Sequence, residues 1–351
     1  MVSGSLNVQS SQTMSGNANA QTTVNVTTNA GAQVTMNTAA LGNGSDAGSF
    51  EGGPVTGAIS QTTGPVQILA TSNFNGQTAQ TGGTDPTSVA SFNVQAIANS
   101  HGVTVSDTSS NTTTTQTSSA QTEADGGAVL MYTPGTAAAS ATGVSNNLTG
   151  AGSGNASQTL TATQTMTGPL TQATQSINLG NGQTIQSNAT ASANNIYVSN
   201  ENGPVAVTDS QTNTGYTFAQ SVATGYEFGS GQASSDATAN SVLVGNAGEQ
   251  MSLDNTQSNT SGVQSNASFS GGSAGNPSYD ASTSATAMGN AVTGFACSDC
   301  NGVVTVSNNQ MNSGGVAAAS TIDISGANRS VNASATAVGN NATFYVSKPS
   351  H

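Results

Sequence analysis

Ser284-Ala-Thr-Ala-Met-Gly-Asn290 returns 50 positions later as Ser334-Ala-Thr-Ala-Val-Gly-Asn340, and this near-copy decides how the chain is read. Self-similarity at a fixed period is the signature of a repeat architecture. Going backwards from Ala285, Ala237-Thr238-Ala239, Ala189-Thr190-Ala191 and Ala141-Thr142 follow at steps of 48 residues. Val94-Gln-Ala-Ile-Ala-Asn99 and Thr38-Ala-Ala-Leu-Gly-Asn43 carry the series towards the N-terminus. Five places after each starting point stands an asparagine: Asn43, Asn99, Asn146, Asn194, Asn290 and Asn340. The copy that reaches Val242 breaks the rule. Seven units of about 48–50 residues fill the chain, and the recurrent asparagines are expected at corners, where Asn tolerates tight backbone.

A second marker lies between these blocks: an apolar residue, Gln four places on, Gly four after that. Val8/Gln12/Gly16, Leu160/Gln164/Gly168, Val207/Gln211/Gly215 and Val306/Gln310/Gly314 are the clear copies. Ile68/Ser72/Gly76 is read as a degenerate one, and Leu253/Gln257 has its glycine late, at Gly262. Interleaved, the two series recur about every 24 residues over the C-terminal half. Val103-Thr-Val105, Val205-Ala-Val207, Val304-Thr-Val306 and Ile322-Asp-Ile324 alternate apolar and polar, the pattern of half-buried strands. These observations predict an all-β fold, a right- or left-handed β-solenoid (β-helix) of about fourteen coils built from the seven repeats. At roughly 4.8 Å per coil that is a rod on the order of 65 Å long. A repeat sandwich of hairpins is the competing architecture. The whole chain, 1–351, reads as one repeat domain: less regular over 1–130, regular over 131–351, with a terminal strand and cap at 342–351. Stretches 44–88 and 107–128 fit the period worst and read as loops or insertions.

Composition narrows the function. Lys+Arg number 2 and Asp+Glu 15 among 351 residues, so charged residues are 5% where about a quarter is usual. One Arg and one Lys cannot form a phosphate-binding surface, so nucleic acid is excluded as a partner. No run of 18 apolar residues exists, so no transmembrane helix is expected. No cofactor is implied and an enzyme is not expected: the acids are scattered, and a Ser/His/Asp arrangement would have to run through His101, in a turn-like Asn-Ser-His-Gly. Cys297 and Cys300 form the one Cys-x-x-Cys; the flanks read as strands and other soft donors are few, which favours a local disulfide pinning a turn. Gly215-Tyr-Thr-Phe218 and Gly225-Tyr-Glu-Phe228 place two rings two residues apart, on one face of a strand. Tyr216 and Tyr226 are thus candidate glycan platforms; the other reading is that these rings fill a thin core.

Gln12-Thr-Met-Ser-Gly-Asn-Ala18 and Gln164-Thr-Met-Thr-Gly168 resemble curli-type amyloid repeats. The longer unit, Ser-Ala-Thr-Ala-Val-Gly-Asn-Asn-Ala-Thr-Phe-Tyr-Val over 334–346, is similar to the D-type holdfast anchor proteins of stalked bacteria. That resemblance implies export through a curli-like outer-membrane channel, an extracellular, outer-membrane-associated location, and a role in tying an adhesive polysaccharide to the envelope. It implies polysaccharide and sister anchor subunits as partners. The 48–50-residue double unit, the cysteines and the irregular N-terminal part depart from curli and favour a finite folded anchor over open-ended fibre growth. Met1-Val-Ser-Gly-Ser shows no signal peptide, which fits a mature form or another export route.

Two functions of different class remain: an anchor or adhesin, and a self-assembling filament, functional-amyloid or surface-layer subunit that associates end to end through open strand edges. Phe344 and Tyr345 in the last strand, followed by Lys348 and Pro349, are expected to block or dock that end, since Lys and Pro guard edges.

Overall fold

The computed structural model describes residues 4–78, 87–248, 250–273, 280–297, 302–326 and 329–347. Every regular element among them is a strand. The first unit holds β1 (Leu6–Met14), β2 (Ala18–Asn25) and β3 (Gln33–Phe50); the second holds β4 (Val55–Thr63), β5 (Gln67–Gly76) and β6 (Val89–Ser106). In the next three units the second and third strands run together: β7 (Ser109–Ser118) with β8 (Gln121–Ser153), β9 (Ser157–Met166) with β10 (Leu170–Asn200), and β11 (Val205–Asn213) with β12 (Tyr216–Asn246). The last two units are again three-part, β13 (Gln250–Asn259), β14 (Val263–Gly271) and β15 (Asp280–Cys297), then β16 (Val303–Asn312), β17 (Val316–Ile324) and β18 (Ser330–Ser347).

The first strand of every unit joins a seven-stranded sheet in the order β1-β4-β7-β9-β11-β13-β16. All remaining strands form an eleven-stranded sheet, with β8, β10 and β12 each pairing along their whole length. Each strand pairing is parallel and in register with the equivalent strand one unit away. This finding overturns the β-solenoid of about fourteen coils. The two sequence markers lie on different strands of one unit and never pair with each other, so the 24-residue step is not a ladder step. What forms is an all-β structure of two large parallel sheets, whose seven-stranded sheet spans about 29 Å at the usual 4.8 Å spacing, not 65 Å. The poorly matching stretches 44–88 and 107–128 hold β4, β5 and β7, and the threonine run 111–117 lies wholly inside β7.

Side chains alternate in and out along most of each strand, and the inward rows stack into four cores, the smallest of Ala47, Val55, Val103, Val105 and Ala156. An alanine-rich one runs through Ala40, Ala96, Ala191, Ala237 and Ala287. A second holds two aromatic pairs, Phe74–Phe92 and Phe228–Phe269, with centroids 5.0 and 4.9 Å apart. The third packs Leu160, Val207 and Leu253 of the smaller sheet against Leu148, Ile196 and Val242 of the larger. At Ala98-Asn99, Ala193-Asn194 and Ala239-Asn240 two successive residues are buried, so the alternation shifts phase and the strand turns a corner.

The glycines that follow Gln164, Gln211 and Gln310, namely Gly168, Gly215 and Gly314, have a steric cause. They sit where the chain leaves the seven-stranded sheet, and there the backbones of successive units nearly touch. A Cβ on Gly168 would lie 2.0 Å from the Ala120 carbonyl oxygen, and one on Gly215 would lie 2.2 Å from that of Gly168. Gly215→Ala is therefore expected to cost ~1–3 kcal/mol, read as a lowered melting temperature. Gly315→Ala, with nothing within 4 Å of the added methyl, is the neutral control.

Candidate functional site

Two columns of buried amides join the sheets. At the corner of the larger sheet, Asn43 Nδ2 donates to Asn99 Oδ1 at 2.9 Å, and the chain of bonds continues through Asn146, Asn194, Asn240, Asn290 and Asn340 at 2.7–2.8 Å. In the smaller sheet Gln61 Nε2 donates to Gln12 Oε1 at 2.8 Å, and Gln116, Gln164, Gln211, Gln257 and Gln310 repeat the contact at 2.7–2.8 Å.

Each amide spends its second N–H on the other sheet. Gln12, Gln61, Gln116, Gln164, Gln211, Gln257 and Gln310 donate to the carbonyl of the residue after the corner asparagine of their own unit, from Gly44 to Asn341, at 2.8–3.1 Å. Each asparagine from Asn43 to Asn290 donates to the carbonyl just after the glutamine of the next unit, from Thr62 to Met311, at 2.9–3.1 Å. A backbone carbonyl only accepts, so these contacts fix which amide atom is nitrogen. The columns are cross-braces, and they run in opposite senses: the Asn column donates towards the C-terminal end, the Gln column towards the N-terminal end.

Sequence reading missed three members. Asn240 was passed over because its unit is 46 residues from the last, which put the expected position at Val242. Aligning on Ala-x-Ala-Asn at 191–194 and 237–240 finds it. Gln61 and Gln116 were missed because Gly57 and Thr112 stand where the marker demanded an apolar residue. Ser72, taken for a degenerate glutamine, lies on β5 in the other sheet.

The outer surface carries a second feature. A shallow groove of about 390 Å³ is lined by Asn17, Pro65, Val66, Gln67, Ser119, Gln121 and Pro169. Gln67 and Gln121 are in register, and both donate to the Glu123 carboxylate. One unit on, the Tyr216 N–H donates to the Pro169 carbonyl at 3.1 Å, and the Tyr216 ring stacks on Phe218 at 6.3 Å and 16°. Its hydroxyl donates to Gln264. Amides, pyrrolidine rings and an aromatic pair thus lie in one row across successive strands. Tyr226, 59% exposed, projects from the same strand β12, but Phe228 turns inward onto Phe269, so the second ring pair does not share a face.

A family model described as holdfast attachment protein D matches residues 1–262, well over half of the chain. The chain belongs to the holdfast attachment protein D family. That places it in holdfast attachment at the cell surface. No curated protein and no solved structure matches.

Other singled-out residues fall as follows. Phe344 is half-buried against the third core, and Tyr345 stacks on Phe295 at 5.6 Å. Lys348 and Pro349 lie outside the described residues, as does Cys300, and with it the expected Cys297–Cys300 bridge. His101 is buried, with Nδ1 against the Ser45 hydroxyl at 2.9 Å and carbonyl at 3.0 Å and with Nε2 facing the core; burial lowers its pKa. Among the described residues, no group of His, Cys, Asp and Glu could hold a metal ion, and no helix is long and apolar enough to cross a membrane.

Asp209 is the exception among the sparse acids. It points into the smaller sheet's buried face, 3% exposed, against the Asn255 amide at 2.9 Å. Burial and then the neighbouring Asp254 carboxylate push its pKa up to about 8. An acid raised in this way holds its proton in the folded state between pH ~4 and ~8 while the unfolded chain does not, so its contribution to stability is lost as pH rises through that window. Asp209→Asn should therefore flatten the decline of melting temperature between pH 4 and pH 8. For the columns, Gln164→Leu takes the side-chain donor from the Asn195 carbonyl and from Gln116 Oε1 and leaves Gln211 Nε2 with only its bond to the Ser241 carbonyl, and each buried group so unpaired costs ~1–3 kcal/mol. Denaturant unfolding should show a loss of at least ~2 kcal/mol.

Proposed function

We propose that this member of the holdfast attachment protein D family ties the adhesive polysaccharide to the outer membrane, with the row from the Pro65/Pro169 groove to Tyr216 and Phe218 as its saccharide face. Membership of the family carries the reading. The row supports it chemically: ring faces stack on the apolar faces of pyranose rings, and Gln67, Gln121 and Asn17 supply donors and acceptors for hydroxyls. A row that crosses successive strands also suits a long polymer better than a single sugar. Partner holdfast components would meet the open strand edges, since among the described residues β1 and β16 each close the smaller sheet with one unpaired side.

The test uses cells that make the holdfast polysaccharide. Tyr216→Ala/Tyr226→Ala together should release labelled polysaccharide into the medium while the purified variant keeps its melting temperature. Polysaccharide retained as in wild type, or a collapse of stability, would sink the saccharide face. The second reading, a filament or surface-layer subunit, is favoured by edges open at both ends of both sheets.

A further inference from the structure

The two ends of the sheets carry complementary amide groups. In the last unit, Asn340 should donate to a carbonyl one unit further on, as every corner asparagine before it does. Among the described residues Asn340 Nδ2 instead reaches back to the Gln310 carbonyl at 3.4 Å. Gln310 Oε1 likewise has no donor among the described residues, although every earlier Gln Oε1 accepts from the next unit. At the other end, among the described residues, Asn43 Oδ1 has no donor, Gln12 Nε2 uses only one N–H, on the Gly44 carbonyl, and the Thr13 carbonyl has no corner asparagine below it.

We propose that the C-terminal end (β16, β17 and β18) docks on the N-terminal end (β1, β2 and β3) of a second copy, in register and head to tail. This rests on the open edges and not on the saccharide row. Strand order puts Gln310 over Gln12 and Asn340 over Asn43 of the neighbour. Asn340 Nδ2 then donates to Asn43 Oδ1 and the Thr13 carbonyl, and Gln12 Nε2 donates to Gln310 Oε1, so all the orphaned groups are matched. Head-to-head contact that sets each column on its own kind matches none of them, because it puts acceptor on acceptor in one column and donor on donor in the other.

Packing and charge agree. Val306 meets Val8 and Val316 meets Ala18, each a continuation of its own inward row. Two acids of the end units fall on neutral partners: Asp46 on Thr343, and Asp323 on Asn25. One column gains little: the Asn213–Asn259–Asn312 series meets Met14, whose thioether is a weak acceptor.

Outward-facing Ser11 and Asn309 occupy the same column. Purified Ser11→Cys and Asn309→Cys chains carrying tags of different size are mixed and oxidised, and wild type is the control for the native cysteines. The mixed disulfide dimer is expected and the two like dimers are not. Gln12→Glu removes the donor to Gln310 Oε1 and sets an anion against it, and sedimentation velocity should show association weakened tenfold or more (~1.4 kcal/mol). Gln9→Ala, outward on the same strand, should leave association unchanged. A wild-type chain that stays a 34.2 kDa species at every concentration, or cross-links dominated by like dimers, overturns the proposal. Loss of polysaccharide retention in the tyrosine variant alone would leave this interface intact, so the two readings fail separately.

Discussion

Everything in this fold hangs on amide groups that bond in three directions. A parallel pair of short strands rich in Ser, Thr and Ala has little to hold its register, because one row of small polar residues resembles the next. Slippage by one residue would exchange the inner and outer faces. Gln164 removes that freedom: it is tied to Gln116 below, to Gln211 above and to the Asn195 carbonyl across the interior. A slipped strand would turn Gln164 outward and leave its former partners buried and short of a bond, at ~1–3 kcal/mol each. The columns therefore act as a register lock, and the alanine core beside them only has to fill space.

That division of labour explains the composition. Apolar burial alone is modest where Ala supplies the inner row, as at Ala96, Ala191 and Ala237. Satisfied polar contacts supply specificity in its place. Charge is unwelcome under these conditions, since in-register parallel pairing puts equivalent residues of neighbouring units directly against each other. Asp209 shows the consequence: with Asp254 nearby and no cation, its carboxyl holds a proton to about pH 8. Arg329, by contrast, pairs with Asp280 on the exposed end unit, where the solvent screens it.

The period and the strand content were legible in the sequence because the repeats are written in residue types: Asn at the corner, Gln at the brace, Gly where backbones crowd. The pairing was not. Two interleaved markers at half-period look like equivalent rungs when side-chain type is the only guide. Only the distance between hydrogen-bonded partners, 46 to 56 residues in the Asn column, shows that each marker pairs with its own kind. The spread in that distance is itself why Asn240 escaped a fixed 48-residue step. Gln61 and Gln116 escaped for another reason: the apolar residue that seemed part of their motif is a core position, free to become Gly57 or Thr112 while the brace stays. The row proposed as a saccharide face was half visible, since Tyr216 stood out as an aromatic. Its neighbours Pro65, Pro169 and Gln121 come together only through register.

The opposite senses of the two columns have a consequence for length. Side-chain amides bonded head to tail align their dipoles, and a single such column would gather partial charge of one sign at each end, as a helix does. Here the Asn column donates towards one end and the Gln column towards the other, so the accumulated dipoles oppose. Each end then shows both a donor and an acceptor instead of a single sign. A sheet stack built this way carries no electrostatic penalty that grows with the number of units. Its size is set by how many units the chain encodes and by what covers the two ends.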